Sequence, residues 1–179
     1  MSIIYWFLKY WLKIRIYWSN FLNSTKYIPN AEVKERIATV QSINIFAKKL
    51  YNYFSYKIDS ASVLFDSIRS PQECYQEYLD GKLIDDCDGF HAALYHAATS
   101  GNFDCYLLTR ISEKISQSHT TLVVKYNNKY YLYDYNKMNI CNSSANIINT
   151  ADGMNNSKTR YYNFVQYNYD LGKYIEVKL

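Results

Sequence analysis

Asp85-Asp86-Cys87-Asp88-Gly89-Phe90 sets a thiol directly after two carboxylates, at the head of an apolar run with helical spacing. Downstream, His119 opens the alternating run Ser118-His119-Thr120-Thr121-Leu122-Val123-Val124. Asp134 lies inside the next run, Tyr130-Tyr131-Leu132-Tyr133-Asp134-Tyr135. A thiol at a helix start, a histidine on one strand and a carboxylate on its neighbour are the parts of an activated cysteine nucleophile. The histidine takes the thiol proton, and the carboxylate fixes the tautomer and orientation of the histidine. The chemistry of such a set is acyl transfer on an amide or peptide bond, and Cys87, His119 and Asp134 are its candidate catalytic residues.

The surroundings of Cys87 pull in both directions. Backbone N–H groups at a helix start favour a thiolate, and Gly89 leaves room for close approach of backbone or substrate. Asp86 and Asp88 place negative charge beside the sulfur, which an imidazolium at His119 has to outweigh. His91 lies one helical turn after Cys87 and competes as base. Two side chains on one helix do not easily sandwich a carbonyl, so His91 reads as a support or core residue, and His96 as structural. An oxyanion needs a second donor besides the Cys87 N–H; Gln72, Gln76 and Tyr78 on a preceding short helix are the candidates. No ligand spacing supports a metal site, and no cofactor or calcium cluster is expected.

Hairpin arithmetic links His119 to Asp134. Asn127-Asn128 marks a two-residue turn, so paired positions sum to 255. His119 then faces position 136, and Asp134 is its diagonal neighbour on the same side of the sheet, within reach of a side chain. A one-residue slip would turn the two apart.

The elements that position these residues follow from periodicity. Ala31–Tyr56 reads as a helix with an apolar face from Val33 to Phe54. Pro71 suits the first turn of a short helix through Tyr78, closed by Asp80-Gly81. The Cys87 helix is capped by Asp85 or Asp86, turns Phe90, Ala93, Leu94 and Ala97 inward, and stops at Ser100-Gly101-Asn102. From Phe103 the period becomes two, and strands are expected at 103–110, 119–126, 129–136, 161–168 and 174–178, with residues 139–157 as a loop. Asn23–Asn30 reads as a connector and Lys57–Ser70 as irregular. Helices followed by consecutive strands predict an α+β domain, residues 23–179, with the cysteine helix on an antiparallel sheet of about five strands.

Residues 1–22 form a separate aromatic, amphipathic helix. Ile3, Phe7, Trp11, Ile14, Trp18 and Phe21 share one face, with Lys9 and Lys13 opposite. Its charges interrupt the apolar run, which speaks against a signal peptide or a spanning helix. Two readings stand: a helix packed on the domain or a partner protein, or an interfacial helix with Trp6, Trp11 and Trp18 at headgroup level and Lys9 and Lys13 toward anionic lipid. Residues 1–30 hold four bases and no acid, while sixteen bases and sixteen acids balance over the rest. A neutral body argues against nucleic acid as a partner. The four cysteines, at 74, 87, 105 and 141, show no paired spacing, which fits free thiols in a reducing, cytoplasmic setting.

The segment Asp85-Asp86-Cys87-Asp88-Gly89-Phe90, followed by His119 opening a strand and Tyr133-Asp134 on the next, resembles the transglutaminase-like cysteine peptidases within the wider papain-like group. The chain particularly resembles the short members carried by bacteriophages and prophages, which often begin with an aromatic, basic helix. The matching stretch runs from about Tyr56 to Asn136. The resemblance implies a papain-like fold and thioester formation on an amide of a protein or peptide substrate. Water then makes a peptidase or amidase, and an amine makes a transglutaminase. The alternative is an inactive member of the same group that binds a membrane or protein through its N-terminal helix.

Overall fold

Helix starts in this chain are written in capping residues. The computed structural model describes residues 3–26, 31–57 and 67–179, the side chains of 3–6 and 9 excepted. Its helices are α1 (Ile3–Ser24), α2 (Val40–Tyr53), α3 (Pro71–Leu79), α4 (Cys87–Ser100) and α5 (Ile147–Asn155). Thr39 and Ser42 cap α2 reciprocally, Ser70 caps α3 with Pro71 in its first turn, and Asp86 caps α4.

The strands are β1 (Ser55–Tyr56), β2 (Ile84–Asp85), β3 (Asp104–Ser112), β4 (His119–Tyr126), β5 (Lys129–Asp134), β6 (Lys137–Cys141), β7 (Thr159–Asn168) and β8 (Lys173–Val177). Six form one antiparallel sheet in the order β6-β5-β4-β3-β7-β8, and β1 pairs with β2 in parallel. The fold is therefore α+β. The expected turn is present: Asn127 and Asn128 adopt φ of +50° and +57°, and β4–β5 pairs sum to 255 from Tyr126↔Lys129 to Leu122↔Tyr133.

Both faces of the sheet are covered. Cys105, Leu107, Leu122, Val124, Tyr133 and Val165 pack toward α2, α3 and α4 in the main core. The alternate residues Tyr106, Leu108, Val123, Leu132 and Phe164 pack beneath α5. The central helix α4 is enclosed over most of its length from Asp88 to Ala98. Its alanines let neighbouring elements approach closely, and its end at Gly101 is where the sequence places it.

Several expectations need correction. The sheet has six strands rather than five, because the Tyr135-Asn136 turn folds Lys137–Cys141 back onto β5. Residues 139–157 are not a loop: they hold the end of β6 and the helix α5, anchored by buried Ile147 and Ala151. Residues 31–39 are not helical, since the Thr39 capping box starts α2 only at Val40, and Ile45 on the expected apolar face is exposed. Residues 27–30 of the connector and 58–66 of the irregular stretch lie outside the described residues.

Helix α1 packs on the domain, but with a different face from the expected one. Leu8, Trp11, Leu12, Arg15, Ile16 and Ser19 turn inward, and Leu8, Trp11 and Leu12 meet Ile111 and Tyr161. Phe7, Ile14, Trp18 and Phe21 face solvent. Asn20 fastens the helix to the edge strand: its carboxamide donates to the Tyr174 carbonyl at 2.9 Å and accepts from the Tyr174 N–H at 2.7 Å. Two hydrogen bonds on one edge residue complete backbone groups that an edge strand otherwise leaves open.

Candidate active site

Cys87 is the first residue of α4, held there by a chain of carboxylates. Asp86 Oδ1 accepts the Asp88 N–H at 3.0 Å, and Asp85 Oδ1 accepts the Asp86 N–H at 2.8 Å. Asp85 Oδ2 takes Arg69 at 2.9 Å, and Arg69 also binds Glu73 and Glu77. Gly89 is needed for this packing, because a Cβ there would lie 2.0 Å from Asp85 Oδ2. The space beside Gly89 thus belongs to Asp85 rather than to backbone or substrate. Burial, with the charge of Asp88, pushes the Asp85 carboxyl up to about 6 against the pull of the Asp86 N–H and Arg69.

His119 and Asp134 meet as the hairpin arithmetic predicts, with His119 Nε2 2.7 Å from Asp134 Oδ1. Burial alone would raise the Asp134 carboxyl. The hydrogen bond and charge of His119, joined by the charge of Arg110, reverse that and hold it below the ordinary range. With Nε2 given to Asp134, Nδ1 is the ring nitrogen that His119 presents for proton transfer. The next residue, Thr120, donates its backbone N–H to Cys87 Sγ at 3.4 Å. Strand β4 thereby carries both His119 and a hydrogen bond to the sulfur.

His91 lies behind the site, fully buried. Its Nε2 accepts the Tyr135 N–H at 3.0 Å, so its proton resides on Nδ1, which donates to the Cys87 carbonyl. Burial, reinforced by the charge of His119, lowers it to about 4 and keeps it neutral. It therefore joins the nucleophile helix to the β5–β6 turn. Tyr135 at that turn has φ of +52°, an uncommon backbone state for a bulky residue. Its ring packs 5.5 Å from that of His119 and 5.2 Å from that of His91, centroid to centroid.

Arg15 of α1 reaches into this region. Its side chain is 4% exposed, with Nη2 3.2 Å from Asp88 Oδ1 and Nη1 donating to Thr120 Oγ1 at 3.5 Å. The buried guanidinium answers the negative charge that the sequence sets beside Cys87. A cleft of about 450 Å³ brings the parts together, lined by Trp11, Arg15, Tyr56, Cys87, Ile115 and His119 among others. Arg110, also on its wall, is the cross-strand partner of His119 and is itself fully buried. It binds Asp152 of α5 at 3.0 Å and Thr159 at 3.1 Å, and its charge reaches Asp134 and Cys87.

Other expected residues lie elsewhere. Gln72 and Gln76 on α3 do not line the cleft; Gln76 donates to Asp80 Oδ1 at 2.9 Å. Tyr78 binds Glu35 instead. A polar group ahead of Cys87 that does line the cleft is Tyr56, placed on β1 opposite Asp85. Burial and the charge at Cys87, Asp86 and Asp88 raise its phenol, so it stays protonated and able to donate. His96 donates from Nε2 to the Ala31 carbonyl at 2.7 Å and is structural. Trp18 and Lys13 are exposed on α1 and Trp11 is buried; the side chains of Trp6 and Lys9 lie outside the described residues.

Ligand atoms of Asp86, Cys87 and Asp88 lie within 4.8 Å of one another. Both carboxylates have protein partners, Asp86 in the helix cap and Asp88 in the Arg15 pair, so the trio reads as a capped helix start. Arg15, Tyr56, Arg110 and Tyr135 escape sequence reasoning. Only Arg15 carried a local signal: it continues the row Leu8, Leu12, Ser19 at helical spacing, a cation within a buried stripe.

No known family model, curated protein or solved structure matches this chain.

Proposed function

We propose that this protein is a cysteine-dependent acyl-transfer enzyme of transglutaminase-like, papain-like type, acting on amide or peptide bonds. The observation that carries the reading is the His119–Asp134 hydrogen bond at 2.7 Å, on the strand whose next N–H meets Cys87 Sγ. Cys87 gives its proton to His119 Nδ1, and the sulfur adds to the substrate carbonyl. The oxyanion accepts from the Cys87 N–H and the Tyr56 hydroxyl. His119 returns the proton to the departing amine, leaving a thioester. His119 then takes a proton from water or a second amine as it adds to the thioester, the C–S bond breaks, and Cys87 leaves as the thiolate paired with the imidazolium. Asp134 orients His119 throughout, and Arg15 offsets Asp88 beside the nucleophile.

The test is the pH dependence of iodoacetamide alkylation, resolved for each cysteine by peptide mapping. Cys87 is expected to react well below the ordinary thiol value of about 8.5, with the shift lost in His119→Ala. Cys74 and Cys105 serve as internal controls, because burial pushes both thiols far up. If Cys87 titrates as an ordinary thiol and His119→Ala changes nothing, the protein is a binder built on an inactive site.

A further inference from the structure

Helix α1 carries apolar residues on two sides, with a polar sector between them. Its inner face is spent on the domain, and its outer face carries Phe7, Tyr10, Ile14, Tyr17, Trp18 and Phe21, with Tyr17 77% exposed. A contiguous exposed apolar stripe of this size marks a surface that another surface covers. We infer that this outer stripe docks on an anionic membrane surface, with α1 lying in the plane of the headgroups.

Three observations select lipid over other occupants. Five of the six exposed residues are aromatic, and tyrosine and tryptophan combine an apolar ring with a polar tip suited to the headgroup layer. No acid occurs in residues 1–30. With Arg15 committed to Asp88, the other two bases of the helix sequence are Lys9 and Lys13, and Lys13 is exposed. A second copy packed on the same stripe would bring two such lysine pairs together with no helix acid to answer them, whereas anionic headgroups complement them. Among the described residues no helix is long and apolar enough to cross a membrane, so the contact is superficial.

The docking does not depend on the chemistry at Cys87, and the experiment keeps the two apart. The full chain and its Cys87→Ala variant are sedimented with phosphatidylcholine vesicles and with vesicles of three parts phosphatidylcholine to one part phosphatidylglycerol. Light scattering of the protein alone runs in parallel. Both chains are expected to sediment with the mixed vesicles, less so at high salt, and to blue-shift their tryptophan emission. Ile14→Ser/Tyr17→Ser/Phe21→Ser is expected to lower binding at least about tenfold with thermal unfolding unchanged, because these side chains face solvent. A single Lys13→Glu change, which spares the stripe, is expected to weaken binding severalfold. Absence of sedimentation with the mixed vesicles would overturn the inference, as would equal binding to phosphatidylcholine alone. A dimer in solution that the triple variant abolishes would assign the stripe to a second copy instead.

Discussion

Asp134 decides how His119 works. Its carboxyl is held below the ordinary range by the hydrogen bond and charge of His119, which favours its ionised form. Because the folded value is depressed, the stability it adds is present above the unfolded value near 3.9 and is lost as pH falls through the folded one. Asp134→Asn keeps the shape but presents the wrong partner to His119 Nε2. Acylation of the protein by p-nitrophenyl acetate, followed as a burst of nitrophenolate, is expected to slow by about a hundredfold or more. An unchanged burst would remove Asp134 from the machinery. The Cys87, His119 and Asp134 set was legible in sequence because each part is local: a cap for the thiol, and one tight turn for the other two. Tyr56 and Arg110 join the site only through tertiary packing, which no local pattern announces, and the helical row that holds Arg15 says that it is buried but not what it meets.

At the scale of elements, α4 is held by what α1 and β2 bring to its first turn. Arg15→Met leaves the buried Asp88 carboxylate without its guanidinium and is expected to cost about 3–5 kcal/mol. Asp88→Asn in the same chain should recover much of that, and urea denaturation of the single and double variants measures the coupling. Arg15→Met should also raise the pH at which Cys87 is alkylated, which a purely structural pair would not do. Gly89→Ala is a second probe. Alanine favours a helix over glycine by about 1 kcal/mol, but the new methyl would collide with Asp85 Oδ2. A net loss of roughly 2–4 kcal/mol is expected in the same assay.

These elements also show where periodicity fails. Strand β6 exposes both Lys137 and Ile140, so its place is set by the preceding turn and not by an apolar pattern. Helix α5 buries only Ile147 and Ala151, too few positions to stand out from Asn-rich surroundings. Residues 31–39 mimic a helical period, yet the Thr39–Ser42 reciprocal cap already marks the true start of α2. In α1 the large aromatic residues drew attention to the outer face, whereas the smaller row with Arg15 is the one the domain takes.

The stability of the whole molecule should reflect opposing carboxylates. Asp134 and Glu35 are depressed, so both favour folding above about pH 4. Asp85 is raised to about 6, so its contribution is full below the unfolded value and fades as pH rises through 6. Urea denaturation is therefore expected to find the protein about 1–2 kcal/mol more stable at pH 5 than at pH 7 on account of this group. Asp85→Asn should flatten that slope while leaving the acid limb in place. A slope that survives the substitution would assign it to other groups.

The Asn20 clasp on Tyr174 joins residues 154 positions apart. On a ribosome adding about 5–20 residues per second, roughly ten to thirty seconds separate the appearance of one from the other. The aromatic helix is thus made well before the edge strand that clasps it. Throughout that interval the inner face of α1 lacks the Tyr174 backbone that Asn20 binds in the finished fold, so its native cover is incomplete until the C-terminal strand is made.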